Sequence, residues 1–230
     1  GEGEATGVSY INKDDLKDYE IKAKVVILAA SACSSARILL NSKSAQHPNG
    51  LANSSGVVGK YLHDSTGSSR MGFIPQLVDR ERYNEDGVGG MHLYTPWWLN
   101  DSKDLGFTRG YHIEYWGGMN MPSYGFGFNT QALKEITGDT SRNAYGTGLK
   151  KDVKKFYGAT FGMAGRGESI PRKENYCEID SNTVDKYGIP VLKFNYSWSE
   201  EEVKQARHMQ DTFEEVMYSM GAVPLGDKPG

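Results

Sequence analysis

The stretch Val25-Val26-Ile27-Leu28-Ala29-Ala30 constrains this chain more than any other. Six consecutive apolar residues, β-branched at the start, have the length of a strand and show no polar face. Such a run reads as a strand buried on both faces, as in a parallel sheet covered by helices. Ser31-Ala32-Cys33-Ser34-Ser35 follows with small side chains only, and Ala36-Arg37-Ile38-Leu39-Leu40 then reads as a short helix. A buried strand, a tight small-residue turn and a helix make half of a nucleotide-binding βα unit. Small side chains let a ligand approach backbone N–H groups at a helix N-terminus, where the dipole favours phosphate. They equally permit close strand–helix packing, and locally that plainer reading weighs more.

The rest of the chain has a different texture. Ala5–Ile11 and Tyr19–Ala23 alternate apolar with polar residues around the turn Asn12–Asp15, which predicts a hairpin. Residues 46–66 read as loops. From about residue 70 glycines and aromatics multiply. Short strands are expected at Met71–Pro75, Val88–Tyr94, Tyr111–Trp116 and Gly158–Gly165, and a strand pair at 175–179 and 189–196 around Asp185–Gly188. Residues 131–156 carry weak helical spacing. The last helix is the firmest expectation: Ser199-Glu200-Glu201-Glu202 is a capping box with acids at the positive end of the dipole, and Gly221 caps the other end. Its apolar stripe reads Val203, Ala206, Phe213, Val216, Met217 and Met220. The fold expected is α+β: a piece of an α/β domain over 1–70, then an antiparallel sheet with helices on one face over 71–230. One strand–helix step is too little for a complete doubly wound domain, and the chain does not begin with Met, so it reads as an excerpt of a longer protein.

Composition narrows the function. A net charge of −3 argues against a broad nucleic-acid footprint, and 11% aromatic residues are too many for disorder. Two cysteines make no disulfide scaffold. No apolar run approaches the roughly 18 residues of a membrane span. The five histidines show no metal-binding spacing, and no G-x-S-x-G elbow is present. His208 lies off the helical stripe and is expected in solvent. His112 and Glu114 share one strand face; they suit an acid–base pair, although a surface hydrogen bond is the commoner outcome. Tyr94, Trp97 and Trp98, with Tyr111, Tyr115 and Trp116, suit stacking on a sugar, but aromatics more often build the core of a small sheet.

Two blocks in order then point to a family. Ala23–Ser42 has the strand, small-residue turn and Leu-rich helix, and Gly50–Asp64 has the form S-G-x-V-G-x-x-L-x-D. Both resemble glucose–methanol–choline oxidoreductases, with the closest flavour that of bacterial gluconate- or sorbitol-dehydrogenase-like flavoproteins. Glu168–Cys177 resembles the family's E-x-x-P-x-x-x-N stretch, and Asp185–Val191 its D-x-x-G-I-P-V hairpin. Ser31 replaces a common Gly of the family, Ala36 its usual Pro, and Lys43 a frequent Gly.

The resemblance implies an FAD-dependent oxidoreductase that oxidises an alcohol of a sugar, polyol or sugar acid by hydride transfer to the flavin, with an electron acceptor as a further partner. The family's G-x-G-x-x-G turn is absent from this sequence and its catalytic histidine is expected beyond Gly230, so no catalytic residue is assigned. This chain alone is expected to be inactive and to hold FAD weakly. By match to the family's turn, Ala30, Ser31, Ala32 and Ser35 lie nearest the FAD. Tyr94, Trp97, Trp98, His112 and Trp116 are the substrate-side candidates. The alternatives from other classes are a non-catalytic, aromatic-rich carbohydrate-binding module and a truncated inactive homologue. The compartment, periplasmic or cytoplasmic in a bacterium, is left open by the sequence.

Overall fold

The computed structural model describes residues 5–81, 93–102, 104–117, 130–139 and 146–228. The fold is α+β, with four α-helices and antiparallel sheets among the described residues. The chain divides into two compact units, 1–63 with 171–197, and 64–170 with 198–230. It therefore crosses between units three times, at 63, 170 and 197, where the sequence suggested one boundary near residue 70.

The first unit holds two hairpins and a helix. β1 (Gly7–Ile11) pairs with β2 (Asp18–Lys22), as the alternation predicts. The turn is set by Asn12, whose Oδ1 accepts from the Asp14 N–H at 3.0 Å. α1 (Ala32–Asn41) lies against the hairpin of β7 (Tyr176–Val184) and β8 (Pro190–Asn195). Arg37 makes that attachment. Its guanidinium donates to Asp185 Oδ2, Ile189 O and Pro190 O, each at 2.8 Å. Asp185 also accepts from the N–H groups of Tyr187 and Ile189 at 2.9 and 3.1 Å. The Arg37 hydrogen bond foremost holds the Asp185 carboxyl below the usual carboxylate range. Gly59 sits at φ +80° where a Cβ would stand 2.3 Å from Cys177 O, so only glycine lets this loop join the β7 edge. There its carbonyl accepts from the Cys177 N–H at 2.7 Å.

The expected strand over Val25–Ala30 does not form. The segment has no ladder partner among the described residues, and its side chains are open, with Val25 74% and Ile27 85% exposed. The reason is physical: a central strand needs neighbours on both edges and cover on both faces. The described residues of this unit supply two-stranded hairpins and one helix, which cover neither both edges nor both faces.

The second unit is built on a five-stranded antiparallel sheet of order β4-β5-β6-β3-β9. Its strands are β3 (Thr66–Phe73), β4 (Leu93–Thr95), β5 (Tyr111–Trp116), β6 (Thr160–Gly167) and β9 (Val223–Leu225). Of the strand expected at Val88–Tyr94, residues 88–92 lie outside the described residues. α2 (Thr130–Thr137) and α3 (Gly146–Phe156) gather Leu133 and Phe156 with Phe73 and Val78 in a small cluster.

α4 (Glu200–Ser219) covers one face of the sheet. Its capping box is complete, Ser199 and Glu202 each accepting from the other's backbone N–H. At the far end Gly221, at φ +68°, lets the Ala222 N–H reach Met217 O at 2.8 Å, a Schellman turn. The buried seam differs from the expected stripe. Val203 and Met220 are exposed, whereas Gln205, Met209 and Gln210 are buried with Phe213 and Met217. Glycines at 165 and 167 explain the difference: a Cβ there would meet Met209 Sδ at 2.5 Å and Gln205 Oε1 at 2.0 Å. The buried amides find backbone acceptors, Gln205 at Arg109 O (2.6 Å) and Gln210 at Ser69 O (3.1 Å). Each fully buried Phe213, Met209 and Met217 contributes about 2 kcal/mol by removing its side chain from water.

On the other face Trp116 lies over Gly162, its cross-strand partner. A Cβ at Gly162 would fall 2.1 Å from the indole. Gly162→Ala is expected to destabilise the fold by about 2 kcal/mol, since a rigid ring cannot yield as a methionine does. A urea-unfolding midpoint unchanged from the parent would contradict this packing.

Candidate functional site

Alternation along β5 separates two roles. Tyr111 and Ile113 point into the core under α4, while His112, Glu114 and Trp116 stand on the opposite face. The register places His112 across from Arg166 and Glu114 across from Ala164. Next to them β4 brings Tyr94 across from Glu114. The result is a cleft of about 650 Å³ lined by Tyr94, Pro96, Trp97, His112, Glu114 and Arg166, with Gly110, Tyr111 and Glu168 at its margin.

Its polar groups are linked. Glu114 Oε1 lies 3.2 Å from His112 Nε2, and Glu114 Oε2 lies 3.6 Å from Arg166 Nε. Arg109 and Glu168 pair at 3.6 Å nearby. Its apolar wall is aromatic: Tyr94 meets His112 edge-on at 6.2 Å, and Trp97 packs on Tyr111 and Phe107 at 5.1 and 6.1 Å. The arrangement offers two carboxylate acceptors, Glu114 and the more exposed Glu168, imidazole and guanidinium groups, and ring faces beside them. That mixture suits a ligand with hydroxyl groups on a carbon chain.

Of the substrate-side candidates, Tyr94, Trp97 and His112 line this cleft together. Trp98 faces a second cleft of about 590 Å³ with Tyr115, His208 and Asp211. Trp116 is committed to Gly162. Arg166 and Glu168 were missed as site residues. Their signal was the alternation Gly162, Ala164, Arg166, which becomes legible only once β6 is set beside β5 in register.

The expected solvation of His208 is corrected. Its ring packs on Phe107 and Tyr111 at 5.3 and 5.8 Å, and its Nδ1 lies 2.7 Å from the Tyr111 hydroxyl. The stripe argument failed because Phe107, from a loop, covers the helix flank. Burial pushes the Tyr111 phenol up to about 12 and the His208 imidazole below its ordinary value. The Tyr111 hydroxyl and the His208 ring share a hydrogen bond whose direction follows the imidazole tautomer, and Thr212 Oγ1 lies 3.1 Å from the same hydroxyl. Tyr111 thus connects the cleft wall to α4.

The four residues matched to a cofactor turn cluster at the start of α1. Ser31 occupies the N-cap position with φ +73° and ψ 165°, a region populated almost only by glycine, and its side chain makes no cap hydrogen bond. Ala32 is exposed, and Ala30 and Ser35 are partly exposed. The Ser35 N–H already closes the first helical bond to Ser31 O at 2.9 Å. The small side chains and the uncapped helix start fit the close approach of one part of a flavin cofactor. Among the described residues no group of three or more His, Cys, Asp or Glu could hold a metal ion, and no helix is long and apolar enough to cross a membrane.

Comparison with known proteins adds a different kind of observation. No protein-family model matches the chain. Over 98% of its length it is 30% identical to 2-methyl-1,2-propanediol dehydrogenase of Mycolicibacterium austroafricanum. Over 94% of its length it is 24% identical to a gluconate 2-dehydrogenase flavoprotein of Pantoea cypripedii. The chain spans 39% and 33% of the lengths of these relatives.

Ser31→Gly is expected to stabilise the protein by about 1 kcal/mol, because it relieves the φ strain and removes no cap bond. A fall in melting temperature would contradict it. His208 has a folded pKa below its unfolded value near 6.5, so the unfolded chain binds the proton more readily. Stability is therefore expected to be full above that value and to fall as pH drops below it, levelling off below the folded pKa. His208→Gln should flatten this part of a melting-temperature profile taken between about pH 5 and 8.

Proposed function

We propose that this chain is the substrate-side portion of a flavin-dependent dehydrogenase of the glucose–methanol–choline type. The whole protein would oxidise an alcohol group of a polyol, sugar or sugar acid. The observation that carries the reading is the hydroxyl-matching cleft on the open face of the β4–β5–β6 sheet. It occurs in a chain similar almost end to end to two dehydrogenases, one of them named a flavoprotein.

In this reading Tyr94 and Trp97 hold the carbon chain of the substrate. His112, Glu114 and Arg166 bind its hydroxyl groups, and the aromatic wall keeps water from that side. Trp98 and Trp116 support the wall without touching substrate. FAD, when bound, supplies the hydride acceptor. Ala30, Ser31, Ala32 and Ser35 would lie along it, their small side chains leaving room for close approach. The exposed apolar residues of Val25–Ala30 are those of a strand whose neighbours come from the remainder of the parent protein. The base that accepts the hydroxyl proton is not assigned within this chain, and the chain by itself is not expected to retain flavin.

The test is an absorption spectrum of the full-length natural protein between about 350 and 500 nm, with dye-linked oxidation of diols, polyols and sugar acids. Flavin bands and turnover are expected. His112→Ala should lower kcat/KM roughly tenfold through KM, the loss of one hydrogen bond to a bound hydroxyl, with the melting temperature unchanged. A colourless protein that still binds polyols would favour the non-catalytic carbohydrate-binding module instead.

A further inference from the structure

We infer that the open-face cleft selects a neutral polyhydroxy ligand over an anionic sugar acid of the same length, and that Glu114 sets this preference. The inference rests on reading the cleft as a substrate site.

The charges of the cleft carry the argument. Among the described residues that form it and its rim, the cations are Arg109 and Arg166 and the anions are Glu114 and Glu168. Each guanidinium already faces a carboxylate, Arg109 to Glu168 and Arg166 to Glu114. Among the described residues the two guanidiniums are thus matched by two carboxylates, with the His112 imidazole also beside Glu114.

Depth sharpens the effect. The Glu114 side chain is 23% exposed, against 54% for Arg166, 52% for Arg109 and 70% for Glu168. The best-shielded charge is therefore negative. Tyr94 lies across from it and Trp97 lines the same wall. An incoming carboxylate can only accept hydrogen bonds. It can pair with the remaining N–H groups of Arg166 only by standing beside Glu114, a like charge. A hydroxyl group both donates and accepts. It can give its proton to a Glu114 oxygen and accept from His112 or Arg166 while the ion pair stays in place. Adjacent hydroxyls on one carbon chain can use these groups together, with the C–H faces against the rings.

The test uses sorbitol and gluconate, six-carbon chains that differ at one terminal carbon, a neutral CH2OH against a carboxylate. Both are titrated calorimetrically into the full-length natural protein without an electron acceptor, with any flavin kept reduced. Sorbitol is expected to bind more tightly. Glu114→Gln removes one negative charge at nearly constant shape and should shift the ratio toward gluconate by roughly tenfold. Arg166→Gln, at a half-exposed position that tolerates substitution, should shift the ratio the other way, and it carries the test if Glu114→Gln fails to fold. Tighter gluconate binding in the parent, or an unchanged ratio in the variants, overturns the charge argument alone. Failure of both ligands to bind the parent protein overturns this inference together with the substrate-site reading beneath it, whereas binding of sorbitol alone supports it.

Discussion

The second unit depends on a seam of glycines beneath α4. Gly165 and Gly167 on β6 leave the backbone bare where Met209 and Gln205 descend, so the helix settles close to the sheet. Larger residues at these positions would lift it. Because α4 takes Tyr111, Ile113 and Met163 into the sealed core, strand alternation sends His112, Glu114 and Arg166 to the other face. The cleft is thus a by-product of how the core closes. Its residues need no special device to point outward; the parity of three strands in register does it.

The first unit shows a different economy. It has little apolar core of its own and is held by directed polar contacts. Arg37 ties α1 to the β7–β8 hairpin through three acceptors, and Asp185 organises the turn that presents two of them. Asn175, buried to 1% exposure, accepts from the Ser197 N–H at 3.0 Å and donates to the Ser197 carbonyl at 3.1 Å. Asp185, Gly188 and Asn175 are the residues that made the hairpin and the E-x-x-P-x-x-x-N stretch recognisable. Their recurrence in a sequence pattern has a structural cause in this protein.

What could be read from the sequence followed the range of the interaction. The capping box, the Gly221 turn, the β1–β2 hairpin and the strand Tyr111–Trp116 are local and were plain. Helix α1 begins at Ala32, earlier than the apolar residues suggested, because a run of small residues shows little periodicity. The buried face of α4 was misjudged because it follows glycines on a strand some forty residues earlier, and hydrophobicity alone discounts glutamine. His208 was misjudged because its cover comes from Phe107, a loop residue distant in sequence. In the cleft, Tyr94, Trp97 and His112 were legible by residue type, whereas Arg166 needed the β5–β6 register. The run Val25–Ala30 predicts a buried strand, an environment that the described residues do not supply.

That last segment has a consequence for how such a protein comes to exist. Val25-Val26-Ile27-Leu28 is uncharged, lacks proline and is rich in β-formers, the composition from which intermolecular strand stacking starts. Its exposed edge is a hazard for as long as it remains uncovered. While such a segment stays uncovered during folding, self-association competes with native packing. The residues that would make this segment central to a sheet are the same ones that make it adhesive outside it.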